Sequence, residues 1–410
     1  MRKGELESRL LILVTLALVA YGIVMVYSAT SDPAALSGGD ANYYLERQVG
    51  YALIGIVLMV VAQRSDFRRL RAFAPTLVLV SLALLAAVLL VGPPVNGARR
   101  WISLGPALFQ PSELAKLALA VWAAGYLARH QPPRSLAELA RPFGLLTVVF
   151  VLLLVAEPDL GTAIVLVVML GAMLLVAGTP ARVLVLAFAL SAGLGTAAIW
   201  IEPYRRARFF SFLHPWSQAQ GTGFQIVQAM IGMGSGGIFG VGLGQGLQKY
   251  FYLPEAPTDM MLATIGEELG LIGVALVIVA YALFAFAGLR IALNCRDPFG
   301  KRLAAGLTVL VCGQAIINVA AVMGLAPLTG IPLPFLSYGG SSLVVLLASV
   351  GILLNIAQRG NVQTASLRDR SRRDGRTRAA GAGGRRGAQR AGGDRQLRRV
   401  AGSGRGDARP

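Results

Sequence analysis

The chain has 410 residues, of which 55% are hydrophobic and only 14% are charged, and its mean hydropathy is +0.63. Soluble domains carry about 25% charged residues, so this composition excludes an ordinary soluble protein and indicates a chain that folds in lipid. The formal net charge is +18, and residues 361–410 hold 14 of the 38 Lys and Arg but only 4 of the 20 Asp and Glu.

Ten apolar segments are predicted to cross the membrane as helices, because each comes close to the roughly 20 residues that a bilayer core requires. The first is too long for a cleaved signal peptide and has no clear cleavage site, so we expect a retained helix. The ten are residues 10–30, 48–63, 73–92, 112–129, 142–157, 159–177, 182–200, 260–290, 302–323 and 340–357. The predicted fold class is an all-α integral membrane protein with about ten transmembrane helices, one large extracytoplasmic loop and re-entrant segments.

Basic residues between the spans orient the chain, since cytoplasmic loops carry an excess of Lys and Arg. With the N-terminus inside, the basic clusters that begin at Arg64, Arg129 and Arg290 fall in cytoplasmic loops, and the C-terminus also lies inside. We expect residues 1–360 to form the transmembrane domain. The Arg- and Gly-rich residues 361–410 cannot bury a core and predict a disordered basic cytoplasmic tail. A cytoplasmic extension without a specific role is the favoured interpretation, and contact with anionic lipid heads is a simpler alternative than binding of nucleic acid.

A second group of basic residues falls on the outer side, where the charge rule disfavours them. Chance in long loops is one explanation, and binding of an anionic, phosphate-bearing ligand is the other. We favour binding because acidic motifs lie beside them. The group consists of Arg47, Arg99, Arg100, Arg205, Arg206, Arg208 and Lys249.

Two acidic motifs lie at predicted outer ends of helices. Glu113 and Lys116 follow Pro111 and are three residues apart, so they share a helix face and can pair. A pair at this depth is a functional candidate, although a snorkelling pair is the simpler alternative. Glu157 and Asp159 separate two spans with almost no loop, and they either bind a hard cation or a sugar hydroxyl or cap the next helix.

Residues 201–259 are predicted to form the large external loop, which is too apolar and glycine-rich for a disordered linker. Its glycines match G-x-G-x-x-G only formally, because no βαβ unit surrounds them, so close backbone packing is the better explanation. The loop ends in Glu255 and Asp259 before a long apolar helix. Asp259 suits general-base chemistry on a sugar hydroxyl, and helix capping is an equal alternative. Glu267 and Glu268, about two turns deeper, either join helices or line the same cavity.

The last motif is the proline-rich stretch 327–342, which contains Ser337 and Ser341. Non-helical backbone at membrane depth is tolerated only where protein or a cavity satisfies it, so this stretch predicts a re-entrant segment beside a binding cavity. Such a cavity fits a transporter as readily as an enzyme.

Taken in order, these motifs resemble the SEDS (shape, elongation, division and sporulation) family of cell-wall glycosyltransferases, and within it the division branch. The GEELG and NIAQRG forms favour that branch, while the distinction from the elongation and sporulation branches is weaker. The matching strings are NGARRWISLGP, QPSELAKLALA, EPDLGTA, YRRARFFSFLHPW, GTGFQ, GSGGIFGVGLG, YLPEAPTDM, GEELGLIG, PLPFLSYGGSS and NIAQRG.

The resemblance implies polymerisation of lipid II into glycan strands at the outer face of the bacterial cytoplasmic membrane, at the division septum, with undecaprenyl diphosphate as leaving group. It implies no certain cofactor, with Mg²⁺ or Mn²⁺ as a candidate at the pyrophosphate. The implied partners are lipid II and undecaprenyl-linked glycan, a cognate class B penicillin-binding protein, other division proteins and membrane lipids. A lipid II flippase and a non-catalytic division scaffold are the alternatives.

The resemblance also implies site residues. Asp259 matches the family's essential aspartate and is the expected general base, and Glu113 and Lys116 match its essential pair. Pro257 stands where the family usually has histidine, which puts a role for that histidine in doubt here. The expected supporting or substrate-binding residues are Arg99, Arg100, Glu157, Asp159, Arg205, Arg206, Arg208, Lys249, Glu255, Ser337 and Ser341.

Overall fold

The computed structural model of the protein describes residues 4–36, 40, 42–94, 98–105, 107–250 and 252–360. The compact unit that contains them ends at Gly360. The predicted basic tail, residues 361–410, lies outside the described residues.

The described residues are almost entirely helical, as the apolar segments predict. A π-helical turn, Ala140–Gly144, joins α5 to α6, and a 3₁₀ turn, Pro215–Gln218, follows α9. The helices are α1 (Glu5–Leu36), α2 (Tyr43–Arg64), α3 (Phe67–Val91), α4 (Pro111–Arg129), α5 (Leu136–Leu139), α6 (Leu145–Ala156), α7 (Leu160–Ala177), α8 (Ala181–Ile201), α9 (Pro203–Leu213), α10 (Phe224–Gly236), α11 (Met261–Asn294), α12 (Pro298–Val322) and α13 (Gly340–Arg359).

Within the described part of the chain, nine helical segments are long and apolar enough to cross a membrane, with α5, the π-helical turn and α6 counted as one. Each coincides with one of the ten predicted spans. The remaining predicted span is α4, a helix of 19 residues whose hydropathy is lowered by Glu113 and Lys116. These two charged side chains are buried in the bundle, so α4 does not expose them to lipid.

Short polar side chains begin several of the helices, because a capping oxygen satisfies an otherwise unpaired backbone N–H. The carboxylate of Asp66 accepts from Arg68 N before α3, that of Asp159 from Thr162 N before α7, and that of Asp297 from Phe299 N before α12. In α4 Pro111 occupies the first turn, as the sequence predicts.

The two helices α12 and α13 form the centre of the bundle. Helix α12 packs against α4, α7 and α11, whereas α13 packs along α2. The close approach of α13 to α2 requires a small residue at the contact, where Gly351 lies against the backbone of Met59. Helix α8 lies at the periphery and exposes nearly all of its surface.

The large loop predicted at residues 201–259 contains α9 and α10, and its glycine-rich part packs into a kink of α11. The kink lies at Gly270, whose φ of 64° is outside the helical range. Backbone N–H groups of Val241 and Gly242 donate to the carbonyls of Glu267 and Glu268 at 3.0 Å each. Non-helical backbone is thus satisfied inside the protein, as re-entrant segments require.

A small antiparallel hairpin follows α3, and its two strands, β1 (Ile102–Leu104) and β2 (Ala107–Phe109), pair Ile102 with Phe109. Sequence reasoning did not predict it. Strands of three residues are too short to display an alternating pattern.

Candidate active site

A polar cavity of about 310 Å³ lies where the hairpin, α9, the end of the large loop and the segment before α13 meet. Two larger cavities, of about 410 and 540 Å³, lie between α6, α7 and α8 and between α1 and α11, and neither has a charged side chain in its lining. The polar cavity combines acidic, basic and aromatic groups. They are Arg47, Arg100, Arg208, Glu255, Asp259, Tyr51, Trp101 and Tyr338.

Asp259 lies at the end of the large loop, two residues before α11 begins. Its backbone carbonyl accepts a hydrogen bond from Asn318 Nδ2 at 2.7 Å. Burial of the carboxyl group raises its pKa to about 7, and the negative charge of Glu255 adds to this effect, whereas Arg208 opposes it. The carboxyl group can therefore exchange a proton near neutral pH, as a general base must.

Thr258 connects Asp259 to the second carboxylate of the cavity. Its hydroxyl donates to Glu255 Oε2 at 2.8 Å and lies 3.5 Å from Asp259 Oδ1. Glu255 has a left-handed backbone conformation, with φ of 58°, in the turn that brings the two acidic residues to the same side. The capping alternative for Asp259 is not observed, since no side chain caps α11 in the described part of the chain.

Arg100 and Asp259 both lie close to Gly330. A Cβ atom added to Gly330 would lie 3.8 Å from Arg100 Nη1 and 3.9 Å from Asp259 Oδ2. The φ of Gly330 is +68°, a value that favours glycine. Arg100 is held in place because it donates to the backbone carbonyls of Glu157, at 3.1 Å, and of Pro158. A cation and a carboxyl group thus lie close together in the lining of the cavity.

Aromatic rings and a third arginine complete the wall. The guanidinium of Arg47 lies 4.2 Å from the centre of the Tyr43 ring, and the rings of Tyr44 and Tyr338 meet edge to face at 5.1 Å. Tyr51 packs against Gly340 at the start of α13. Such rings offer flat apolar faces beside positive charge, which suits a ligand with both sugar and phosphate groups.

The pair Glu113 and Lys116 forms the predicted ion pair, with Lys116 Nζ 2.9 Å from Glu113 Oε1, and both side chains are almost fully buried. Neither residue lines the cavity. Lys116 also donates to Gln314 Oε1 at 2.8 Å, and Gln314 Nε2 donates to the carbonyl of Pro332, at 2.9 Å, in the cavity wall. The pair is therefore connected to the cavity wall by hydrogen bonds through Gln314 of α12.

Glu157 and Asp159 lie one layer behind the cavity. Asp159 caps α7, and its other oxygen lies 3.4 Å from Ser112 Oγ and 3.5 Å from Gln110 Nε2. The capping alternative is thus observed for Asp159. Glu157 is fully buried, and burial together with the charge of Asp159 raises its pKa to about 8. Cation or sugar binding by the two remains a prediction.

Lys249 lies in a different buried cluster. Its ammonium is 3.4 Å from Glu268 Oε1 and donates to the carbonyl of Ser28, while Ser28 Oγ donates to Glu268 Oε2 at 2.6 Å. Glu267 accepts from the backbone N–H of Leu247 at 2.7 Å. The first alternative for the two glutamates is thus observed: they join α11 to α1 and to the large loop.

Of the other predicted residues, some line the cavity and some do not. Ser341 lines the cavity, and its hydroxyl accepts from Gln110 N at 3.2 Å. Ser337 accepts from Leu333 N at 2.9 Å, inside the turn before α13. Three arginines do not line the cavity: Arg99 donates to Leu89 O, Arg205 donates to Val155 O at 2.7 Å, and Arg206 is half-buried on α9. Their phosphate or saccharide contacts stay predictions.

Sequence reasoning included Arg47 in the outer basic group but missed other residues of the site. Trp101 and Tyr338 lie within recognised motifs, although neither was singled out. Tyr51 carried no signal, because single tyrosines near helix ends are common at membrane interfaces. The buried amides Gln314 and Asn318 lie in an apolar span whose pattern does not reveal their partners.

Comparison with known proteins gives concordant results. The profile of the FtsW, RodA and SpoVE family, described as cell cycle proteins, matches residues 8–361. A probable peptidoglycan glycosyltransferase FtsW of Geobacter sulfurreducens is 42% identical over 85% of this chain and 94% of its own length. The stage V sporulation protein E of Bacillus subtilis is 40% identical over 85% of this chain and 96% of its own length. A chain from a solved peptidoglycan synthase complex, in which polymerisation and crosslinking are coordinated, superimposes with a TM-score of 0.72 at 31% identity, covering 86% of this chain and 98% of that one.

Proposed function

Because this chain belongs to the FtsW, RodA and SpoVE family of cell cycle proteins, we infer that it is a multi-pass membrane enzyme, a peptidoglycan glycosyltransferase that acts in cell division. The relatives named FtsW support this activity. The observation that carries the site is the position of Asp259, whose carboxyl group lines the polar cavity close to Arg100.

We propose lipid II as the substrate and the following reaction. The carboxylate of Asp259 removes the proton from a sugar hydroxyl of the acceptor as its oxygen forms a bond to the anomeric carbon of the donor. The bond from that carbon to the diphosphate oxygen breaks, and undecaprenyl diphosphate leaves. Since the lipid diphosphate is an activated leaving group, the step needs no nucleotide.

The charges of the cavity suit this leaving group. Three arginines, Arg47, Arg100 and Arg208, line the same cavity as the two carboxyl groups of Glu255 and Asp259. The positive charges therefore exceed the negative ones even when both acids are ionised. Arginine side chains stabilise the charge that develops on a departing diphosphate.

A divalent cation is a further candidate at the diphosphate. Glu255 and Asp259 flank one hydroxyl, that of Thr258, and Mg²⁺ is commonly held by one or two carboxylates together with substrate phosphates. These residues fit such an ion, which would neutralise phosphate charge when bound. In the described part of the chain, no group of three or more His, Cys, Asp or Glu could hold a metal, so tight binding would need the substrate.

We further propose that the enzyme acts at the outer face of the cytoplasmic membrane, at the septum, with both termini in the cytoplasm and a class B penicillin-binding protein as partner. The distribution of basic loops supports the orientation. The likeness to a chain from a synthase complex that coordinates polymerisation with crosslinking supports a transpeptidase partner.

Polymerisation of purified lipid II by the protein with its cognate class B penicillin-binding protein tests the function. Asp259→Asn keeps the size of the side chain and removes the base, so the rate should fall about 10²- to 10⁴-fold. The matched control is Asp66→Asn, at the other end of α3, where asparagine caps a helix as well as aspartate does.

Three outcomes would contradict the proposal. An undiminished rate in Asp259→Asn would exclude the general-base assignment. Movement of lipid II across vesicles by the wild-type protein, with no polymer formed, would favour the flippase, and an inactive wild type that still recruits division proteins would favour the scaffold.

A further inference from the structure

Two buried amides on α12 lie one helical turn apart behind the cavity. Gln314 and Asn318 are separated by four residues, so both face the same side of the helix, and neither is exposed by more than 2%. An amide in an apolar span is costly unless its hydrogen bonds are satisfied. What these two groups bind therefore indicates their role.

Asn318 joins two separate parts of the cavity. Its Nδ2 donates to the carbonyl of Asp259 at 2.7 Å and to the carbonyl of Ile331 at 2.8 Å. An amide nitrogen has two hydrogens, so its donor capacity is fully used. One side chain thus ties the loop that carries Asp259 to the wall segment, defined here as residues 327–339.

Gln314 binds the same wall segment one residue further along. Its Nε2 donates to the carbonyl of Pro332 at 2.9 Å. Its oxygen faces Lys116 Nζ at 2.8 Å, and because an ammonium can only donate, the amide must present its oxygen to Lys116 and its nitrogen to Pro332. The buried ion pair of Lys116 and Glu113 therefore sets the orientation of Gln314.

We propose that Gln314 and Asn318 are positioning residues that hold the Asp259 loop and the wall segment in register, so that Asp259 and Arg100 stay together beside Gly330. Neither amide touches the ligand, since neither lines the cavity. The proposal rests on the proposed function, because it assigns these residues a part in the same reaction. It also gives Lys116 a role by way of Gln314 rather than by contact with the substrate.

A backbone hydrogen bond provides a reporter that does not depend on activity. Tyr338 N–H, near the end of the wall segment, donates to the carbonyl of Pro257 at 2.8 Å. This bond crosses between the two parts that Asn318 joins. Hydrogen exchange at the Tyr338 amide therefore measures whether they stay together.

The test compares Asn318→Leu with Asn355→Leu in the full chain. Asn355 is a matched control: it is a fully buried amide that donates to Gln63 O and accepts from Phe67 N. It lies 15 residues after Gly340 on α13, about 22 Å from the cavity end of that helix. Both substitutions remove a buried amide of the same size.

We expect Asn318→Leu to lower kcat for lipid II polymerisation on the order of 10²-fold with little change in KM, since small misplacements of reacting groups have effects of this size. Exchange at the Tyr338 amide should accelerate in Asn318→Leu and stay at the wild-type rate in Asn355→Leu. Gln314→Met, which keeps the bonds of Asn318, should accelerate exchange in the wall segment and leave the Asp259 loop protected.

Equal losses of kcat in Asn318→Leu and Asn355→Leu, in proportion to their thermal unfolding midpoints, would show general destabilisation and overturn the proposal. If Asn318→Leu does not fold, unchanged exchange of the wall segment in Gln314→Met would overturn it. A wild-type protein that makes no polymer would contradict the proposed function instead, and the exchange measurements would still decide on the positioning role.

Discussion

The acidic limb of the pH–rate profile tests whether Asp259 is the general base. Two charged neighbours shift its pKa in opposite directions, since Glu255 raises it and Arg208 lowers it. A general base works only when ionised, and the pKa of Asp259 is about 7. We therefore expect kcat/KM to rise as the pH increases through about 7 and to fall to about a tenth of its plateau near pH 6, because kcat/KM reports the pKa values of the free enzyme. An aspartate with its ordinary pKa would leave kcat/KM constant over this range.

The size of the Glu255 effect follows from the position of Thr258. Its hydroxyl is 2.8 Å from Glu255 Oε2 and 3.5 Å from Asp259 Oδ1, so these two oxygens are at most about 6.3 Å apart. Glu255 is exposed, and with an effective dielectric constant of about 40–80 the repulsion is about 0.7–1.3 kcal/mol. At 1.36 kcal/mol per pKa unit, Glu255→Gln should lower the pKa of Asp259 by about half a unit to one unit.

Arg208→Gln should have the opposite effect, since the positive charge of Arg208 lowers the pKa of Asp259. The assay is kcat/KM against pH, measured at low lipid II concentrations, for the wild type and both variants. Glu202→Gln is the control, because it removes an exposed acid at the start of α9 that does not line the cavity. A limb that stays in place, or shifts the same way in both variants, would refute the assignment to Asp259.

Two further predictions concern the surroundings of the site. Lys116→Met leaves the carboxylate of Glu113 buried without its partner, so thermal unfolding in detergent should show a loss of about 3–5 kcal/mol, and adding Glu113→Gln should restore most of it. A double variant no more stable than Lys116→Met would contradict the ion pair. Gly330→Ala requires a left-handed conformation that costs alanine about 1–2 kcal/mol and places a methyl group between Arg100 and Asp259. Polymerisation should fall much more than the unfolding midpoint does, and equal losses would indicate strain alone.

The membrane spans could be predicted because lipid leaves few alternatives to the helix. The apolar stretch at 302–323, for example, became α12, which begins earlier because Pro298 and the capping Asp297 start it. The helices of the large loop could not be located in the same way. Helix α9 is rich in arginine and phenylalanine and lacks a long apolar run, so its sequence resembles that of a polar loop.

Charge pattern singled out Asp259 and Arg100, which line the cavity, but did not show which of the other charged residues would line it. Asp259 and Arg100 lie in loops, where a charged side chain can face open space. Lys116 and Lys249 also stood out as charges near apolar segments, yet their ammonium groups pair with buried carboxylates and carbonyls of other helices. Those partners are up to 221 residues away in the chain, and local sequence does not contain this information.

Some charged residues line the cavity and others are buried behind it, and the buried ones help to hold the cavity rigid. The pKa of Asp259 is raised because its carboxyl group is buried away from bulk water. If the loop that carries Asp259 were held only at its ends, water would reach this carboxyl group. The backbone of Asp259 is instead fixed from behind by Asn318, and the wall that faces it is fixed by Gln314 and Lys116. The same supporting contacts therefore have two effects. They keep the carboxyl group of Asp259 buried, which raises its pKa, and they hold it in a fixed orientation. A variant that loosens the packing of α12 should thus shift the acidic limb of the pH profile to lower pH as it lowers kcat. The loss of a proposed substrate contact such as Arg47 should lower activity without that shift.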